Sequence, residues 1–290
     1  MKKICALMVV LLGLLTACDE KAEQVAVEWP FYTIAKEEQT VGYLLGTMHV
    51  GKAEWFPLPE ELTDAIDQSD AVLTEIKLHD GYSSDVTAQM IAEASDYKKL
   101  PDYFNAAQLQ ELERKVATYI ANPRIDLKAM TLLELDGLLS YSYLGQDGVV
   151  DGVEYALFGY LYKTGHLDKN SGLETSAESL WIGNEYMQQG IEDPEQWLAD
   201  LPTYDENFAE LEKMFAAYEN NELEAFLLAE AESAEDILVV PRNLQWIDPL
   251  TTQLEKNEQT FIAVGAAHLY FEDGLLDLLA ECGYVVEAVE

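Results

Sequence analysis

Residues 259–268 read QTFIAVGAAH, an apolar run that ends in a glycine followed three residues later by a histidine. Residues 39–49, QTVGYLLGTMH, repeat that arrangement near the other end of the chain. The whole sequence contains only four histidines, so this repetition indicates two similar half-units that each supply one imidazole to a shared site. Neutral imidazole is the commonest metal ligand among side chains. The pattern therefore favours a metal-assisted hydrolase.

The composition describes a folded and very acidic protein. The chain has 290 residues, 49% of them hydrophobic, and a formal net charge of −37. Such a surface repels nucleic acid and anionic headgroups, so a nucleic-acid partner is excluded. The favoured interpretation of the acidity is solubility, and the alternative is enrichment of cations near a site.

The first residues have the form of a secretory signal. Lys2 and Lys3 precede an apolar run that is too short to span a bilayer, and the run leads into Leu-Thr-Ala-Cys at positions 15–18. This ending resembles a bacterial lipobox. It predicts a signal peptide over 1–17, lipidation of Cys18 and a tether over 18–28, with Asp19 favouring retention at the inner membrane. The expected location is the periplasmic side of the envelope, with contact to the membrane through the lipid anchor only.

Cysteine usage agrees with that processing. With Cys5 removed and Cys18 lipidated, only Cys282 remains, so no intramolecular disulfide is expected. Because Cys282 follows an apolar helical segment, we expect it to be a buried structural thiol.

Hydrophobic patterning predicts one α/β domain over 29–290. Strands are predicted near both termini and helices between them, so the fold class is a central mixed sheet with a large helical middle section and possible pseudo-twofold halves. The predicted strands are 31–34, 41–45, 71–76, 261–264 and 284–289, and 172–175 is predicted to be a short strand or the exit of one. The predicted helices are 60–69, 151–162 capped by Asp151, 208–230, 242–254 and 274–282, with helical periodicity over 83–142.

Three acids and one arginine are candidates for chemistry. Glu75 lies in an apolar strand, where an unpaired carboxylate is unfavourable, so we expect a site role and keep an edge strand in solvent as the alternative. Glu174 and Glu154 are weaker candidates. Arg242 could clamp a carboxylate or stabilise an oxyanion, although pairing with surface acids is the ordinary role of arginine in so acidic a chain.

Other catalytic motifs are absent from the sequence. There is no HExxH, no Gly-x-Ser-x-Gly and no P-loop. His79 and His166 stand in polar segments and are predicted to be surface residues.

Several motifs together resemble the TraB/GumN family, which includes the TIKI metalloproteases and is distantly similar to erythromycin esterases and haem-binding ChaN-like proteins. The segments that carry the resemblance are YLLGTMHV (43–50), LP (58–59), SD (69–70) with Glu75, GLET (172–175), RN (242–243), VGAAHL (264–269), GLL (274–276) and GY (283–284). The resemblance as a whole extends from about Trp29 to Val289.

The resemblance assigns roles to individual residues. It implies that His49 and His268 are metal-binding or catalytic histidines, with Gly46 and Gly265 as the motif glycines, Glu75 as the site acid and Arg242 as a site arginine. The family often has aspartate at the position of Glu154, and glycine where Ala267 precedes the second histidine.

The leading hypothesis is a metal-dependent peptidase. In it, His49, His268 and a carboxylate hold Mn²⁺ or Co²⁺ by the resemblance, or Zn²⁺ by ligand type. Glu75 ligates the metal or acts as general base, Arg242 stabilises the charge on the attacked carbonyl oxygen, and the substrate is a peptide or small molecule. The first alternative is a protein that sequesters a peptide or haem without turning it over. The second is a metal-free esterase with His49 as general base. The sequence does not predict an oligomeric state.

Overall fold

The computed structural model describes residues 25–81, 97–120, 125–191, 193–230, 238–256, 258–271 and 273–289. Most of the predicted signal and tether, including Cys18 and Asp19, lies outside these ranges. The strands are β1 (Phe31–Lys36), β2 (Gln39–Thr47), β3 (Val50–Lys52), β4 (Ala71–Thr74), β5 (Val149–Asp151), β6 (Asn170–Gly172), β7 (Thr260–Gly265) and β8 (Val285–Ala288). Six of them form one sheet in the order β6-β4-β7-β2-β1-β8, and β3 pairs with β5 separately.

The central sheet is mixed. Four of its six strands, β6, β4, β7 and β2, are parallel to one another. β1 is antiparallel to β2, and β8 is antiparallel to β1. The first five residues of β7 are all buried, as expected for a parallel strand covered on both faces. This arrangement confirms the predicted α/β domain with a sheet built from both ends of the chain.

The β1–β2 hairpin determines where the chain joins the sheet. Its turn places Glu37 and Glu38 at positive φ, 51° and 63°. Because the two strands are antiparallel, Phe31 at the start of β1 pairs with Leu45 near the end of β2. The start of β1 therefore lies at the sheet edge formed by the carboxyl ends of the parallel strands.

The helices surround the sheet and fill the middle of the chain. Their ranges are α1 (Glu60–Gln68), α2 (Leu78–Gly81), α3 (Ala106–Val116), α4 (Leu132–Ser140), α5 (Val153–Thr164), α6 (Ser176–Gln189), α7 (Pro194–Asp200), α8 (Tyr204–Glu219), α9 (Leu223–Glu230), α10 (Val240–Leu254) and α11 (Leu275–Glu281). Four of them begin with a capping box, in which the side chain of Asn105, Thr131, Thr175 or Thr203 accepts from the backbone N–H three residues on.

Several predicted element boundaries differ from the structure. β6 ends at Gly172, so the segment predicted over 172–175 is the exit of that strand. Asp151 ends β5 and does not cap a helix; α5 begins after Gly152. The single helix predicted over 208–230 is two helices, since Asn221 at φ 55° turns the chain between α8 and α9. The strand predicted to include Glu75 ends at Thr74. Parts of the 83–142 prediction, residues 83–96 and 121–124, lie outside the described residues.

The prediction of a buried Cys282 is wrong. Leu275, Leu278 and Leu279 of α11 are buried, but the helix ends at Glu281 and Cys282 is exposed. Gly283 follows at φ 86° and turns the chain into β8. Continuing the helical periodicity beyond the true end of the helix produced the error.

Candidate active site

The carboxyl ends of the four parallel strands carry one candidate residue each. Glu174 follows β6 by two residues, Glu75 follows β4 directly, His268 follows β7 by three and His49 follows β2 by two. These strands are neighbours in the sheet, so the topology brings four residues from distant parts of the sequence to one edge. Ligands bind at this edge in open α/β sheets.

Arg242, in the first turns of α10, lies at the centre of this edge. Its Nε donates to Glu174 Oε2 at 3.1 Å, and its Nη2 donates to Glu174 Oε1 and Glu75 Oε2, each at 2.6 Å. Its Nη1 donates to the backbone oxygen of Leu238 at 3.2 Å and to His268 Nε2 at 3.1 Å. A guanidinium has five N–H groups, and all five have acceptors here. Stabilising an oxyanion would therefore require Arg242 to release one of these partners.

Glu174 is the more deeply buried of the two acids that Arg242 binds. Its side chain is fully buried and both of its oxygens accept from the guanidinium. Its backbone N–H donates to Glu75 O at 2.9 Å, which joins the exits of β6 and β4. Gly172 makes this close approach possible, because a Cβ there would lie 2.7 Å from Glu174 O.

Glu75 is held as a carboxylate. Its Oε1 accepts from the backbone N–H of Gly265 at 2.6 Å, and its Oε2 accepts from Arg242. Burial favours the neutral acid, but the positive charges of His268, Arg242 and His49 outweigh it and lower the pKa of Glu75 to about 2. Because β4 lies between β6 and β7, Glu75 does not stand on an edge strand in solvent.

His268 is buried against aromatic and polar neighbours. Its side chain is 5% exposed, and its ring centroid lies 4.5 Å from that of Trp246. Burial lowers the pKa of His268 to about 4, so the ring is neutral at pH 7. Its Nε2 lies 3.8 Å from Glu75 Oε1, and this contact is therefore not an ion pair at neutral pH.

His49 is in the opposite electrostatic state. Its side chain is 66% exposed, and its Nδ1 lies 3.0 Å from Glu154 Oε1. The negative charge of Glu154 and this hydrogen bond raise the pKa of His49 to about 9, with a smaller contribution from Glu75. Glu154 Oε1 also accepts from Thr47 Oγ1, while its Oε2 is buried without a protein partner. Glu154, a weaker candidate in the sequence, thus becomes the direct partner of the first motif.

Replacing Glu154 with glutamine should shift the titration of His49. The variant keeps the shape of the side chain and removes the charge, so we expect the pKa of His49 to fall from about 9 towards the ordinary value of about 6.5. Side-chain NMR titration of the four histidines measures this shift. Thr47→Val is the control, because it removes a hydrogen bond to Glu154 and leaves the charge. An unchanged His49 titration in Glu154→Gln would contradict the pairing.

The same pair gives the sign of its effect on stability. The pKa of His49 is higher in the folded than in the unfolded state, so its pairing with Glu154 adds to the free energy of unfolding. This stabilisation is fully present below about pH 6.5 and is lost as the pH rises through about 9. Because the His49 side chain is largely exposed, solvent screening keeps this contribution small.

A comparison with protein families matches almost the whole chain to one family. A family model described as the TraB/PrgY/gumN family matches residues 30–288. The chain belongs to the TraB/PrgY/gumN family. A search of curated proteins found no match, and a search of solved structures found none either.

The two motif glycines of this family member lie where a side chain would collide with the Glu75 carboxylate or with residues that follow β7. A Cβ on Gly265 would lie 2.9 Å from Glu75 Oε1, within the space of the carboxylate that binds the Gly265 N–H. A Cβ on Gly46 would lie 3.0 Å from the side chain of Leu269 and 3.1 Å from that of Ala266, just after β7. Glycine therefore allows each motif to approach its neighbour closely.

Asn243 and Trp246 are site residues that the sequence patterns do not identify. Asn243 belongs to the RN motif, and its side chain makes hydrogen bonds to both the ring and the backbone of His268. Trp246 packs its ring 4.6 Å from the guanidinium carbon of Arg242. Their positions, one and four residues after Arg242 on α10, are the signal that could have revealed them.

The metal prediction gains no direct support from side-chain clustering. In the described ranges, no three His, Cys, Asp or Glu side chains form a group that could hold a metal ion.

His79 is exposed as predicted, and His166 is partly exposed, with its Nδ1 3.8 Å from Asp67. Within those same ranges, no helix is both long and apolar enough to cross a membrane.

Proposed function

We propose that this protein is a metal-dependent hydrolase, a peptidase anchored by lipidated Cys18 on the periplasmic side of the inner membrane. One observation carries the proposal: His268, Glu75 and Glu174 from three adjacent parallel strands surround a buried arginine, and His49 follows the fourth strand at the same sheet edge. Buried ionisable groups with opposed pKa shifts are typical of catalytic sites. The family match, over residues 30–288, spans both histidine motifs.

The residues fit a divalent cation in part. Imidazole nitrogen and carboxylate oxygen are the donors of hydrolytic Mn²⁺, Co²⁺ and Zn²⁺ sites, and ligand bonds of about 2.1 Å place two donors on one cation about 3–3.5 Å apart. His268 Nε2 and Glu75 Oε1 are 3.8 Å apart, close to that separation. His49 would be the third ligand, although its Nδ1 is bound to Glu154.

Each residue then has a distinct task. His268, Glu75 and His49 would hold the cation, which when bound makes water a stronger acid and polarises a carbonyl group. Glu75 is ionised, which suits it to bind a cation, while its pKa of about 2 makes it a weak general base at neutral pH. Glu154 keeps a proton on His49 up to about pH 9, so a cation would have to displace that proton before His49 could bind it. A metal-free esterase with His49 as general base is correspondingly disfavoured at neutral pH.

The experiment combines metal content with peptide cleavage. Purified wild type, His49→Ala and His268→Ala are loaded with Mn²⁺, Co²⁺ or Zn²⁺, and their metal content and cleavage of a fluorogenic peptide library are measured. We expect bound metal in the wild type, and loss of at least about 100-fold in activity in both variants. His166→Ala is the control. Loss of metal with unchanged activity would show that the metal is not catalytic.

A binding protein that sequesters a peptide or haem is the second candidate. It is favoured by the saturation of all five Arg242 N–H groups and by the absence of a three-ligand cluster among the residues described. A sequestering protein returns its ligand intact after denaturation, whereas an enzyme consumes it. Mass spectrometry of the ligand recovered after denaturation separates the two.

A further inference from the structure

Asn243 has an orientation that its neighbours fix. The residue lies on α10 and is completely buried. Its Nδ2 donates to two backbone oxygens, that of His268 at 3.1 Å and that of Asp273 at 2.9 Å. Carbonyl oxygens only accept, so the amide nitrogen must face them and Oδ1 must face the other way. That direction is towards the His268 ring, whose Nδ1 lies 2.8 Å from Oδ1.

The two ring nitrogens of His268 therefore have different partners with opposite requirements. An amide oxygen cannot donate, so the contact with Asn243 Oδ1 requires a hydrogen on Nδ1. A guanidinium cannot accept, so the contact of Arg242 Nη1 with Nε2 requires a lone pair on Nε2. Only the neutral ring with its hydrogen on Nδ1 satisfies both contacts.

Packing keeps the ring in this orientation. Trp246 covers the imidazole at 4.5 Å between centroids, with an angle of 41° between the ring planes. A flipped ring would place carbon atoms opposite Asn243 Oδ1 and Arg242 Nη1 and leave these buried groups without partners, which is unfavourable.

We propose that Asn243 is a positioning residue that fixes His268 as the Nδ1–H tautomer and keeps a lone pair on Nε2, which accepts from Arg242 Nη1 at the sheet edge that holds Glu75. The significance of that lone pair rests on the proposed hydrolase function, because Nε2 is the atom that would bind a cation or accept a proton once Arg242 Nη1 releases it. The other tautomer would direct an N–H into the same space and remove the donor atom. Outer partners of this kind commonly set the tautomer of histidines at metal and catalytic centres.

Nitrogen NMR tests the tautomer without substrate or metal. Long-range ¹H–¹⁵N spectra at neutral pH distinguish a protonated ring nitrogen from one with a lone pair, and only four histidines need assignment. In the wild type we expect the lone-pair resonance of His268 to belong to Nε2. A wild-type spectrum in which that resonance belongs to Nδ1 would overturn the proposal.

Two variants of Asn243 separate positioning from structural support. Asn243→Leu has a similar volume and no acceptor, so Nδ1–H loses its partner and only the Arg242 contact still favours this tautomer. We therefore expect the shifts of the two His268 nitrogens to move part of the way towards each other. Asn243→Asp keeps an acceptor for Nδ1 but loses both donated bonds, so its unfolding midpoint should fall while the Nδ1–H tautomer persists. His268 shifts in Asn243→Leu identical to those of the wild type would overturn the assignment.

A matched control is available in the same fold. Asn170 is buried in β6, donates to Val72 O and Thr74 Oγ1, accepts from the Leu78 N–H and touches no imidazole. Asn170→Leu should lower stability and leave the His268 tautomer unchanged. Because the readout requires no turnover, a correct tautomer in a protein without hydrolytic activity would reject the proposed function alone.

Discussion

Replacing Arg242 with methionine is expected to reduce the free energy of unfolding by about 3–5 kcal/mol, because it leaves two buried carboxylates without their counter-ion. The side chains of Glu75 and Glu174 are 17% and 0% exposed, and both accept from the guanidinium. Urea unfolding followed by circular dichroism measures the loss. Arg114 is the control, since it also makes two hydrogen bonds to one glutamate, Glu111, but at the surface. Arg114→Met should unfold like the wild type.

A compensated variant shows whether the uncompensated charge is the cause. Combining Arg242→Met with Glu75→Gln and Glu174→Gln removes all three charges and keeps side chains of similar size. We expect this triple variant to recover most of the stability lost in the single variant, since buried ion pairs can often be replaced at little net cost. A triple variant less stable than Arg242→Met would show that the hydrogen bonds, and not the charges, dominate.

The second large effect is expected at Gly152, which packs against the backbone of the first histidine motif. A Cβ there would lie 1.8 Å from Met48 O and 2.6 Å from the carbonyl carbon of His49. The N–H of Gly152 donates to His49 O, and that of Val153 donates to Met48 O. Gly152→Ala should therefore displace the motif from α5 and destabilise the protein by about 3 kcal/mol, with a fall in the pKa of His49 as it separates from Glu154.

Gly159 in the same helix is the matched control. It is exposed, and nothing lies within 4 Å of a Cβ built on it. Gly159→Ala should stabilise the protein by about 0.5–1 kcal/mol through helix propensity. Thermal unfolding of the two variants gives the comparison. A Gly152→Ala variant as stable as the wild type would contradict the tight packing of α5 on the motif.

The sheet and its functional edge could be predicted from sequence because the signals are local. The apolar run Phe261–Val264 is bounded by glycine and polar residues, and it corresponds closely to β7. The two strands predicted before His49 likewise correspond closely to β1 and β2 of the hairpin. Since neighbouring parallel strands end at one edge, the convergence of His49 and His268 followed from the strand assignments.

The partners of Arg242 could not be predicted, because they are set by tertiary contacts. Glu174 and Glu75 are 68 and 167 residues away in sequence, and no periodicity relates them to α10. The pairing of His49 with Glu154 is of the same kind, since the β3–β5 ribbon brings α5 to the first motif. The helix boundary near Asp151 was missed because a backbone contact of Gly152 with His49 O, and not a side-chain cap, starts α5.

The direction of β1 has a consequence for substrate access. Phe31 lies at the same sheet edge as the two histidines, and it is 13 chain positions from Cys18, which span at most about 45 Å. If Cys18 carries the proposed acyl chains, this edge stays within that distance of the bilayer. Polypeptides at the membrane surface would then lie within reach of the two histidines.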